Sequence, residues 1–187
     1  MAPRSKPGLW VMEGTWSNRV SDVRSVDPVL RALGDAGVAR HARFPVNDGD
    51  DFLKALTRWG QAQHDPYDIG YVAMHGSPGK VYPSRKQVDL LQLAGRLPPR
   101  ALANKVLHFG SCSVLEDPES HKPLLDAFGV RALTGFTKEV GWFESLAFEL
   151  LLFECLAYYQ RVHAAEAYVR KNYGQLADML GFVMVRR

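Results

Sequence analysis

Of 187 residues only two are cysteine, Cys112 and Cys155, too few for the disulfide framework of a small secreted fold. The opening MAPRSKPG has no apolar core of a secretory signal, so a reducing, cytoplasmic setting with both thiols free is expected. Charge of one sign is scarce. The 23 Lys and Arg against 20 Asp and Glu leave a formal net charge of +3, and the basic residues are scattered, so no nucleic-acid footprint is indicated. No apolar run reads as a membrane span, because the longest, Ser145 to Tyr159, is broken by Glu149 and Glu154, which would be costly in lipid. It reads as a core helix. What remains is an ordinary globular composition, 47% hydrophobic and 23% charged, with the length of one domain, residues 1–187.

Short apolar runs alternate with longer amphipathic ones. Strands are expected at 8–13, 38–46, 68–74, 105–110 and 130–136, with a further one in FVMVRR at the end. Helices are expected at 26–37, 50–63, 84–97, 121–129, 141–160 and 163–180. The run Asn47 to Asp50 reads as a helix cap, since the ligands of a calcium loop do not follow at their required spacing. Strand and helix repeated in this way imply right-handed crossovers and a mostly parallel sheet of about six strands with helices on both faces. Function in such sheets gathers at the carboxyl ends of the strands.

Two of those ends carry reactive side chains. The third strand runs into Met74-His75-Gly76-Ser77-Pro78-Gly79, and the fourth into Phe109-Gly110-Ser111-Cys112-Ser113. Neighbouring strands lie about 4.8 Å apart, so adjacent strands would bring His75 and Cys112 to face each other. An imidazole that takes the thiol proton and a thiolate that attacks a carbonyl suffice for acyl transfer. Gly76 lets the backbone approach a substrate, and its N–H together with that of Cys112 could face a developing oxyanion. A cysteine alone in such a place is more often packing, and a lone His-Gly more often a turn; the two together, in this order and pattern, favour a catalytic dyad.

An apolar strand leading into His75-Gly76, followed by an apolar strand leading into Ser111-Cys112, resembles the paired signature of the caspase-like (clan CD) cysteine peptidases. The likeness covers roughly residues 8 to 160 and is greatest to the compact bacterial, CHAT-like branch. That resemblance implies a three-layer caspase-like sandwich, with His75 as catalytic histidine, Cys112 as nucleophile and Gly76 as backbone oxyanion donor. It implies a cysteine endopeptidase acting on a protein or peptide through an acyl-enzyme, without metal or organic cofactor, and open to activation by a partner protein. The glutamine-containing caspase form of the cysteine motif is absent, and the short segment SVLEDPESHK replaces a cleavable linker. In the resembled group, charge near the loop after the fifth strand selects the substrate side chain. Glu139 or Glu144 would then favour a basic residue, and Lys138 or Arg85 an acidic one, with Trp142 as a pocket wall. As ordinary structure, Glu144 suits a helix start and Trp142 a buried aromatic.

Two other readings stand beside this one. The fold could serve as a binding or regulatory module with an idle dyad, acting through a partner protein. Alternatively HGSPG with Lys80 could cradle a phosphate or nucleotide, although it lacks the spacing of a P-loop. Cys155 on an apolar helical face reads as a core thiol. His64, Asp65, Asp68 and His108 make no recognised metal spacing. Pro118 stands where a phosphatase loop needs arginine, and Gly110 to Val114 does not match the serine elbow of α/β-hydrolases.

Overall fold

The computed structural model describes residues 7–17, 19 and 21–187. Five parallel strands form the body of one sheet: β1 (Gly8–Glu13), β2 (Arg40–Pro45), β3 (Ile69–Ala73), β7 (Val106–Phe109) and β8 (Ala132–Phe136). A sixth, β9 (Phe182–Arg186), adds antiparallel to β8, giving the order β2-β1-β3-β7-β8-β9. The final turn that permits this reversal is a glycine: Gly181 caps the preceding helix at φ 64°, a left-handed conformation that costs glycine little.

Alternation along the strands sorts side chains onto two faces. Leu9, Val11 and Tyr71 pack with helices α1 (Asp27–Asp35), α5 (Trp142–Tyr158) and α6 (Val162–Leu180). Trp10, Met12 and Val72 pack with α2 (Gly49–Trp59), α3 (Leu90–Ala94) and α4 (His121–Phe128). The result is the three-layer arrangement expected from the sequence, with a mostly parallel six-stranded sheet between two helical layers. The start of α2 follows side-chain chemistry. Asp48 accepts from the backbone N–H groups of Asp50 and Asp51, the capping role expected for this run. None of the helices among the described residues is long and apolar enough to cross a membrane.

One stretch departs from expectation. Residues 75–89, read as a loop followed by the start of a helix, instead form a small antiparallel sheet of β4 (His75–Ser77), β5 (Lys80–Tyr82) and β6 (Val88–Asp89). Only Leu90–Ala94 of the expected helix 84–97 is helical. The two-residue turn Pro78-Gly79, with Gly79 at φ 68°, closes a hairpin. HGSPGK is therefore a hairpin and not a loop that opens a helix, which removes the geometry of a phosphate-binding helix N-terminus.

Candidate active site

β3 and β7 are neighbours in register, with Val72 opposite Phe109. His75 and Cys112 each stand three residues beyond that pair, so the two chains carry them off the same end of the sheet. Gly110 N–H donates to the Val72 carbonyl at 3.0 Å, extending the pairing one step toward the site. His75 and Cys112 line the same cavity, of about 190 Å³, together with Trp16, Tyr71, Gly110 and Trp142.

The imidazole of His75 is exposed and held from behind. Its Nε2 lies 2.8 Å from the carbonyl oxygen of Trp16, and a carbonyl only accepts, so Nε2 carries the proton and Nδ1 keeps a free lone pair. The indole of Trp16 also meets the imidazole edge-on, ring centres 5.5 Å apart. Trp16 is anchored in turn by Glu13, buried at the end of β1. One carboxylate oxygen accepts from the Trp16 indole N–H at 2.9 Å and the Val26 backbone N–H at 2.8 Å. The other accepts from Ser25 Oγ at 2.8 Å and from Arg43 Nε. A buried carboxylate needs several such donors to offset its lost hydration. Glu13 thus ties the loop after β1 to the site.

The turn bearing Cys112 is tightly specified. Cys112 is half-buried, with Sγ 3.9 Å from the Val140 carbonyl. Ser113 adopts φ 52°, a left-handed conformation unusual for a residue with a side chain, and its N–H donates to the Lys138 carbonyl at 3.0 Å. Ser111 in the same turn is buried. A methyl group on Gly76 would lie 2.7 Å from Ser111 Cβ, 2.8 Å from the Cys112 carbonyl and 2.6 Å from Val114 Cγ2, so the backbones of the two motifs touch because this residue is glycine. In the hairpin register Gly76 stands opposite Val81 and Ser77 opposite Lys80.

Beneath the turn lies a buried polar network. Tyr71 donates its hydroxyl to Glu149 Oε2 at 2.6 Å, His108 Nε2 lies 3.1 Å from Glu149 Oε1, and His108 Nδ1 lies 2.8 Å from Thr134 Oγ1. Burial first, and the Glu149 carboxylate second, push the Tyr71 hydroxyl well above the usual phenol range. Gly110 presses on Tyr71 and Glu149, leaving no room for a Cβ. His108 is thus held in a buried network, and Glu149, which interrupts the long apolar helix, is its partner.

Trp142 is on the cavity wall, whereas Glu139 and Glu144 are exposed and outside the lining. Lys138 donates to the Asp178 carbonyl at 3.2 Å, and Arg85 is exposed elsewhere. Trp16, Arg24 and Tyr71 were not singled out in the sequence; Trp16 sits 59 residues before His75, and no spacing rule connects them. Glu149 did leave a visible signal as a charge within an apolar helix. Cys155 is buried on α5, and burial first, with Glu154 second, pushes its thiol up to about 11. Among the described residues no three His, Cys, Asp or Glu side chains cluster as a metal site. A larger cavity of about 480 Å³ lies at the opposite, amino end of the strands, and its charges are paired, Lys105 with Asp65 and Arg131 with Asp68.

Solved structures share this architecture. The complex of the RgpB pro- and mature domains from Porphyromonas gingivalis matches with a TM-score of 0.58 at 12% identity, over 96% of this chain and 47% of that one. The Arg-specific cysteine proteinase gingipain R (RgpB) matches with a TM-score of 0.61 at 15% identity, over 96% and 46%. Pro-sf-caspase-1 matches with a TM-score of 0.57 at 11% identity, over 96% and 90%. The chain thus spans about half the length of the gingipain chains it matches, and its fold is caspase-like. No curated protein matches it. A family model described as a family of unknown function (DUF6642) matches residues 46–185. With both strand-end motifs inside that span, the chain belongs to the DUF6642 family.

Proposed function

We propose that this chain is a cysteine peptidase of caspase-like fold in which Cys112 is the nucleophile and His75 the general base. One observation carries the reading: His75 and Cys112 share a cavity while Nε2 of His75 is committed to the Trp16 carbonyl. His75 Nδ1 accepts the thiol proton, and the thiolate attacks the scissile carbonyl. Backbone N–H groups of Gly76 and Cys112 face the oxyanion. The imidazolium then protonates the departing amine, and a water deprotonated by His75 hydrolyses the thioester, restoring the thiol. Each proton that leaves is returned within the cycle, so the dyad requires no metal or organic cofactor. The protein or peptide substrate enters over the Trp16 and Trp142 side of the cavity.

The test is cleavage of a mixed peptide library by wild type, Cys112→Ala and Cys155→Ala. Cleavage by wild type and Cys155→Ala but not by Cys112→Ala is expected. Equal cleavage by all three, or none by wild type, would refute the assignment.

A further inference from the structure

The cavity beside the dyad has room for a substrate side chain, and the state of its polar groups specifies which kind. At about 190 Å³ it is smaller than a typical small-molecule site of roughly 300–1,000 Å³. Trp16 and Trp142 line it, their rings in edge-to-face contact with centres 4.5 Å apart, together with the aliphatic side chains of Val26, Val140 and Leu146. Among the described residues no carboxylate lines it.

The polar side chains on the lining already have partners within the protein. Trp16 donates its indole N–H to Glu13 at 2.9 Å, Tyr71 its hydroxyl to Glu149 at 2.6 Å, and Ser145 its hydroxyl to the Trp142 carbonyl at 3.2 Å. Arg24, the lone full cation on the lining among the described residues, is clamped by Asp22. Its Nη2 and Nε lie 2.6 and 3.0 Å from the two carboxylate oxygens, and Nη2 also reaches the Trp16 carbonyl at 3.3 Å. Arg24 holds the Asp22 carboxyl down to about 2, so the two remain an ion pair at neutral pH. The guanidinium lies over the Trp142 ring at 5.9 Å, which places the 22–24 segment against the start of α5. Two large apolar side chains stand out from these adjoining segments, Val23 at 90% and Phe143 at 81% exposure.

We infer that the pocket lined by Trp16, Trp142, Val26, Val140 and Leu146 selects an uncharged, apolar side chain next to the scissile bond, with Val23 and Phe143 offering further apolar contact to the peptide. A charged side chain entering it would lose water and find its counter-groups already engaged, whereas an aliphatic one exchanges water for a lining of indole and aliphatic groups. The inference rests on the peptidase reading for the identity of the occupant. It also departs from the charge selection by Glu139 or Glu144 that the resemblance suggested.

The experiment measures the rate at which Cys112 is labelled by dipeptide acyloxymethyl ketones that differ only in the residue bearing the warhead: leucine, arginine or aspartate. Each rate is divided by that of iodoacetamide on the same protein, which reads the thiol without a side-chain pocket. The leucine probe is expected to be faster than either charged probe by at least about tenfold, the scale of a few methylenes in an apolar pocket. Trp142→Ala should compress that ratio toward one. Equal ratios in wild type, or a faster arginine or aspartate probe, overturn the inference. Failure of the peptidase reading shows separately, as an iodoacetamide rate indifferent to His75→Ala, and the probe ratio still decides the pocket.

Discussion

His75 Nε2 lies 2.8 Å from the carbonyl oxygen of Trp16, a residue 59 positions earlier in the chain. That contact sets which ring nitrogen carries the proton and leaves the other without one. Trp16 stays in place because Glu13 holds its indole N–H, the Val26 backbone N–H, Ser25 and Arg43 together. A carboxylate at the end of β1 therefore acts on a histidine after β3 through a backbone oxygen.

Glu13→Ala should cost both stability and turnover. It leaves the buried Val26 N–H and the part-buried Trp16 indole N–H without their acceptor, an effect on the order of 2 kcal/mol, and it loosens the loop that presents the Trp16 carbonyl. Urea denaturation and kcat/KM together check this. An unchanged kcat/KM in a variant destabilised by that amount would mean that Trp16 does not position His75.

Gly76→Ala should leave the fold largely intact and impair chemistry. The added methyl meets Ser111, the Cys112 carbonyl and Val114 at 2.6–2.8 Å, so the nucleophile turn must shift by a fraction of an ångström or more. A misplacement on that scale lowers kcat/KM by roughly 100-fold. Retained far-UV circular dichroism with collapsed activity is the expected pair of readings.

The network under the turn is structural. Glu149→Leu removes the acceptor for Tyr71 and the partner of His108, leaving buried polar groups unsatisfied at a cost of about 3–5 kcal/mol. For a chain of this length that lowers Tm by roughly 10 °C. A calorimetric scan of wild type and variant measures it.

Acid sensitivity should include a contribution from Asp27. The His41 ring nitrogen at 2.9 Å first, and Arg31 with it, hold the Asp27 carboxyl below its ordinary 3.8. A depressed carboxylate adds stability that is present above the unfolded value near 3.8 and is lost as pH falls through the lower folded value. Asp27→Asn should therefore reduce the urea midpoint at pH 7, with the gap to wild type closing below about pH 4. A gap that widens on acidification would contradict the assignment.

Much of the layer order could be read from the chain because the central strands are short apolar runs separated by helical segments, with β2, RHARFP, the polar exception. Both strand-end motifs were visible for the same reason: His75-Gly76 and Ser111-Cys112 directly follow such runs. The hairpin at 75–89 was not, since β5 and β6 are three and two residues long, too short for a period of two to register. The apolar spacing from Val88 onward overstated the helix instead. Trp16 and Glu13 escaped notice because their roles exist only once β1 lies beside β3. Glu139 and Glu144 stood out as charges near a specificity loop; neither is among the residues lining the cavity.

Thiol chemistry offers the most direct test that Cys112 and His75 act as a unit. Cys155 is buried with its thiol pushed up to about 11, so at pH 8 only about a thousandth of it is thiolate and it stays silent in the folded protein. Intact-mass spectrometry can then follow a leucyl acyloxymethyl ketone on wild type, His75→Ala and Cys112→Ala. The expected result is one adduct on wild type, none on Cys112→Ala, and a rate on His75→Ala lower by about 100-fold or more. An equal labelling rate for wild type and His75→Ala would contradict the dyad.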